Sequence, residues 1–167
     1  FDDEVQLRIP PRNSPAHMKT IIERIEQVQP MGITGIGPPL HAIAESTKRR
    51  GLVILISDLL DEPDEVISAL NHFRHNRNEM LVFHLMDPAE SELDFDGLIE
   101  FQDMETGRRM QVRPDVVRQE YKKHLEAFVQ RYRRDCAAAR VDYETVSTDF
   151  PYELMLARYL SRRGRMK

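Results

Sequence analysis

The segment GLVILISDLLDEP, residues 51–63, decides the fold. Leu52 through Ile56 form an unbroken apolar run, and Ser57-Asp58 ends it. Runs of this kind suit strands of a parallel sheet, which is covered on both faces. Gly51 resets the chain before the run, and Pro63 opens a helix after it. A stretch built for the interior thus finishes on a carboxylate, Asp58, with a second acid, Asp61, just beyond. In open parallel sheets ligands gather at the carboxyl ends of the strands. Asp58 is therefore a candidate for function as well as a mark of the fold.

The same pattern repeats outward. MLVFHLM, residues 80–86, reads as a second buried strand ending at Asp87. VDYETVS, 141–147, reads as a third, and Thr148-Asp149 as the cap of a last helix with Leu154, Met155 and Leu160 inward. Between them lie a helix from Pro63, with Val66, Ile67, Leu70 and Phe73 inward, and a long helix over 114–139. Val117, Tyr121, Leu125, Phe128, Tyr132 and Cys136 make one apolar stripe along the latter. Upstream, Ser14-Pro15 opens a helix with Met18, Ile21, Ile22, Ile25 and Val28 on one face, and Pro30 stops it. The loop PMGITGIGPP, 30–39, follows, then a short helix to about Lys48. LIEFQDMETGRRMQVRP, 98–114, turns near Thr106-Gly107 and reads as an inserted β-hairpin over 97–113. Val5, Leu7 and Ile9 alternate as in a strand, closed by Pro10-Pro11.

Alternating strands and helices point to an α/β fold, a doubly wound, mostly parallel sheet with flanking helices. The strand at 52–58 is expected to be central. The length is that of one domain, 1–167. A chain that opens on Phe1 inside a strand reads as an N-terminally incomplete domain.

Composition narrows the function. The 24 Lys+Arg against 28 Asp+Glu leave a net charge of −4, with no basic face of the kind that binds nucleic acid. The C-terminal RRGRMK reads as a solvated end. Cys136 is the only cysteine, so no intrachain disulfide forms, as in a reducing compartment. No apolar run reaches the roughly 20 residues of a membrane span, and no signal peptide is read. The expectation is a cytoplasmic chain with no membrane segment.

Several chemistries suit an acid at a strand end. A hard divalent cation, Mg²⁺ or Mn²⁺, takes oxygen ligands, and Asp58 with the loop hydroxyl of Thr34 supplies part of such a set. The loop is no phosphate cradle. It lacks the Lys-Ser/Thr ending of a P-loop, and Leu40 stands where a third glycine belongs. Asp58-Leu59-Leu60-Asp61 is not the Asp-x-Asp of two-aspartate phosphatases. The structural alternative is that these acids serve helix N-termini, with Asp61 capping the helix that Pro63 opens. His72 and His75 share a helix without a full ligand set. His84 reads as a core-edge residue, Cys136 as packing, and Ser57 has no triad context. An enzymatic alternative is Mg²⁺-dependent phosphoryl or phosphodiester hydrolysis by clustered Asp58, Asp87 and Asp149.

Taken in order, GITGIGPPLHAIAES, GLVILISDLLDEPDEVISAL, MLVFHLMDPAESELDF, FQDMETG and VDYETVSTDFPYELMLARYL carry a resemblance. The chain resembles a bacterial domain-of-unknown-function family with a von Willebrand factor A-like fold, associated with MoxR-type AAA+ ATPases. The resemblance implies a metal-ion-dependent adhesion site in which Thr34 matches the loop position and Asp58 the strand-end position. It implies a non-enzymatic protein-interaction module working with such an ATPase in complex assembly or activation. One departure stands out: no Asp-x-Ser-x-Ser occurs in residues 1–167. That motif is expected on a first strand preceding Phe1, so this chain alone is expected to bind no cation. Without that strand, 52–58 is expected to expose an edge, which pairs with 1–9 or with a second copy in a homodimer.

Overall fold

A computed structural model describes residues 5, 7–10, 12–28, 35–103 and 106–165. The elements run α1 (Pro15–Gln27), α2 (Gly37–Ser46), β1 (Leu52–Ser57), α3 (Pro63–His75), β2 (Glu79–Met86), α4 (Pro88–Glu92), β3 (Ile99–Gln102), β4 (Arg109–Val112), α5 (Pro114–Ala138), β5 (Asp142–Ser147) and α6 (Tyr152–Arg165). The architecture is mixed α/β. A parallel three-stranded sheet of order β1-β2-β5 is flanked by helices, and β3 and β4 form a separate antiparallel pair.

The sheet has two faces because side chains alternate along each strand. On one face Val53, Leu55, Met80, Val82 and Tyr143 meet α2, α3 and α5 through Leu40, Leu70, Phe73, Tyr132 and Cys136. On the other, Leu81, Phe83, Leu85 and Val146 meet α6 through Met155 and Tyr159. The helical stripe expected on α5 is buried most deeply at Tyr132 and Cys136, where α5 lies on the sheet. Gly37 lets α2 approach α3, since a Cβ there would come within 3.1 Å of the Glu65 Cβ.

Two expectations change. First, within this sheet β2 is the central strand, and β1, pairing with β2 alone among the described residues, has the exposed edge expected of it when no earlier strand is present. Leu52, Ile54 and Ile56 stay 46%, 49% and 60% exposed on the face that α6 covers elsewhere. Second, Val5 and residues 7–10 take no strand conformation. The rest of the expected first strand lies outside the described residues. A short helix not expected from periodicity, α4, also forms. Asp87 caps it in a reciprocal box with Glu90, and Pro88 occupies its first turn.

The start of the sheet is tied at a buried corner. Asn78 is fully buried; its Oδ1 accepts from Gly51 N–H at 3.0 Å and its Nδ2 donates to the Phe73 carbonyl at 3.4 Å. Asn78→Ala removes both side-chain bonds of this corner, and the exposed Gly51 N–H can turn to water. It is expected to lower unfolding free energy by about 1 kcal/mol, read by urea denaturation. An unchanged midpoint would show that backbone bonds alone hold the corner.

Candidate functional site

The carboxyl ends of β1, β2 and β5 form one crest bearing Ser57, Asp58, Asp61, Asp87, Thr148 and Asp149. The two acids after β1 have different surroundings. Asp61 Oδ2 accepts from Ile36 N–H at 2.7 Å and Gly37 N–H at 3.4 Å, and its Oδ1 accepts from Glu62 N–H at 2.7 Å. It therefore caps α2, whose N-cap residue Ile36 has no side-chain cap of its own. The expectation that Asp61 caps the helix opened by Pro63 is corrected: the N-cap of α3 is Glu62, without a side-chain bond. Burial acts to raise the Asp61 pKa, but the N–H groups of Ile36, Glu62 and Gly37 outweigh it and hold the carboxyl below the usual range.

Asp58 is exposed. Its Oδ1 accepts from Leu60 N–H at 3.3 Å and from the Ser57 hydroxyl at 3.4 Å. No bond to its other carboxylate oxygen is found among the described residues. Its backbone is held from below. Leu59, fully buried, sits at φ 56°, a strained conformation for a leucine. Tyr132 O–H donates to the Leu59 carbonyl at 3.3 Å, and Leu59 N–H donates to the Ser57 hydroxyl at 3.1 Å.

His84 completes this support. It is buried, not at the edge of the core, and packs edge-on against Phe128, Tyr132 and Tyr143. Its Nδ1 lies 2.5 Å from the Tyr143 hydroxyl, and the backbone and charge of Asp58 lie near enough to act on the ring. Burial pulls the His84 pKa down more than the Asp58 carbonyl and charge pull it up. His84, Tyr132 and Tyr143 thus position Asp58, a role that sequence reading missed. The available signal was a histidine at the same pleat parity as Met80 and Val82, facing the α5 stripe.

The other acids are engaged. Asp87 accepts from Ala89 N–H at 2.8 Å and from the Thr148 hydroxyl at 2.7 Å, and the Thr148 bond is the leading cause that lowers its pKa. Asp149 accepts from the Ser147 hydroxyl. Thr148 and Asp149 were expected to cap the last helix; their side chains are used in these bonds, and α6 begins at Tyr152. Among the described residues, no three or more His, Cys, Asp or Glu are grouped so as to hold a metal ion. Thr34 lies outside the described residues. His72 Nδ1 lies 3.1 Å from His41 Nδ1, while His75 is exposed apart from that pair. Burial pushes the Cys136 thiol up to about 12, away from the nucleophilic thiolate form. No described helix is long and apolar enough to cross a membrane.

The split between the two acids is testable. Asp61→Ala removes a cap and is expected to cost about 1 kcal/mol, whereas Asp58→Ala should leave the melting temperature nearly unchanged. Equal losses would contradict the division of labour. The folded Asp61 carboxyl binds its proton at lower pH than the unfolded one. Its contribution is therefore full above the ordinary carboxylate pKa of about 3.9 and is lost as pH falls toward the folded value. The unfolded His84 imidazole takes its proton first, so stability should be full above about pH 6.5 and decline below it. His84→Gln should flatten that decline in thermal melts.

The family model described as Protein of unknown function DUF58 matches residues 1–131. Uncharacterized protein MAV169 of Mycobacterium avium is 28% identical over 170 residues, covering 95% of each chain. Uncharacterized proteins Rv1480 of Mycobacterium tuberculosis and Mb1516 of Mycobacterium bovis are each 27% identical over 171 residues. Those alignments cover 95% of this chain and 50% of each relative, so the chain spans about half their length. No solved structure matches. With most of its length matched by that model, the chain belongs to the family of proteins of unknown function DUF58.

Proposed function

We propose that this chain is part of a von Willebrand factor A-like protein-interaction module. In this reading it is non-enzymatic and works with a MoxR-type AAA+ ATPase in complex assembly or activation, in the cytoplasm of a bacterium. Asp58 is the contact group of the intact protein. One observation carries the reading. Asp58 is exposed at the crest, on a turn whose next residue, Leu59, is buried and bonded to Tyr132, while Asp61 is spent on three backbone N–H groups.

A divalent cation, Mg²⁺ or Mn²⁺, belongs to the proposal for the intact protein only. Such ions need about six oxygen ligands. Among the described residues no three His, Cys, Asp or Glu side chains are grouped so as to hold one. Thr34 and residues from a strand outside the chain would have to supply the rest. The edge of β1, unpaired among the described residues, supports such a strand, and so does the exposed apolar face formed by Leu52, Ile54 and Ile56. The hydrolase alternative has less support, because the carboxylates it would need are engaged at Asp87 and Asp149.

The test is binding to a MoxR-type ATPase by a chain extended upstream, with and without millimolar Mg²⁺. Asp58→Ala is expected to abolish binding while leaving the melting temperature unchanged; wild-type binding by that variant would sink the proposal. In the extended chain, a cation at 100 times its dissociation constant should add about 2.7 kcal/mol of stability. The present chain should show no shift.

A further inference from the structure

A cleft of about 660 Å³, whose lining does not include Asp58, lies between β5 and α6. Its size is that of a ligand site. Glu144, Thr145, Val146 and Ser147, four consecutive residues of β5, line it. Met86 at the end of β2 and Ser91 of α4 also line it, so the cleft opens at the carboxyl ends of β2 and β5 and runs along β5 beside α6. β5 pairs only with β2 among the described residues, and no backbone partner is found on that outer side. Among the described residues, then, no strand lies on the outer side of β5.

On the opposite wall α6 contributes two arginines, Arg158 and Arg162. Arg162 is paired with Glu144, and Arg163 with Glu79 and the Tyr159 hydroxyl. Arg158 has no carboxylate partner among the described residues. Its guanidinium lies 5.9 Å from the centre of the Phe150 ring, an orientation that keeps it at the cleft. The cleft's own acids are engaged, Glu144 by Arg162 and Asp149 by Ser147. The uncommitted charge is positive.

We propose that the β5–α6 cleft binds an extended acidic peptide segment, which adds to the outer edge of β5 and places a carboxylate on Arg158. Main-chain pairing supplies affinity in such additions, and alternate side chains supply selectivity. A planar guanidinium suits a carboxylate because it offers two parallel N–H bonds. The site does not use Asp58 or a cation, so it stands or falls apart from the function proposed above.

The probe is a fluorescein-labelled octapeptide alternating glutamate with valine and threonine, titrated into the whole chain with EDTA present and read by anisotropy. Binding is expected. It should weaken about tenfold in Arg158→Ala and fall as salt rises. A peptide with lysine for glutamate, and one with proline at alternate positions, should fail. The proline change is made in the peptide, so its effect is independent of how any variant folds. Absence of binding, equal binding by Arg158→Ala, or equal binding by the proline peptide would overturn the proposal. Full competition by millimolar inorganic phosphate together with proline tolerance would also overturn it, marking a small-anion site instead.

Discussion

The Asp61 carboxylate joins the exit of β1 to the first turn of α2, across 25 residues of sequence. Its two oxygens take three backbone N–H groups, two of them from α2, which has no acidic residue in its first turn. An ionised acceptor at a helix N-terminus satisfies otherwise orphaned donors and complements the helix dipole. The bond seats α2 at the head of β1, where Gly37 permits close packing on α3. With Asp61 turned inward, Asp58 is left exposed at the exit of β1, and Glu62 is exposed at the start of α3.

The two rims of the sheet differ in kind. β5 carries Asp142 and Glu144, and both are answered from α6: Asp142 by the Tyr159 hydroxyl and Glu144 by Arg162. Charges of that sort protect a natural edge from random pairing. β1 has the sequence LVILIS, with no charge, proline or glycine to blunt it. A strand so composed fits the interior of a sheet. The contrast, made on one sheet of one chain, favours a working protein in which β1 is covered and the β5 rim is selective.

Much of this was legible in the sequence. The three main strands fall within a residue of where continuous apolar runs place them, and α5 ends one residue from its expected limit. Those signals are local: burial on both faces writes an apolar run, and one-sided burial writes a stripe of three and four. α4 was legible too, in the Asp87-Pro88-Ala89-Glu90 capping signature, but its five residues give periodicity nothing to count. Which neighbours a strand acquires is not local, and so β1 read as central. Likewise Asp61 looked like the cap of the adjacent helix, because nothing in DLLDEP reports a helix start 25 residues upstream. The crest acids were found, but the buried group that holds Asp58, His84 with Tyr132 and Tyr143, arises only when β2, β5 and α5 are brought together.

The central claim is that two acids three residues apart have opposite assignments, Asp61 holding the fold and Asp58 facing outward. The direct measurement is the amide proton shift of Ile36 followed by NMR through an acid titration, in the wild type and in Asp58→Asn. The account requires the Ile36 amide to titrate below the ordinary carboxylate range and to do so unchanged in Asp58→Asn. An Ile36 amide that ignores acid, or that follows Asp58, would contradict it.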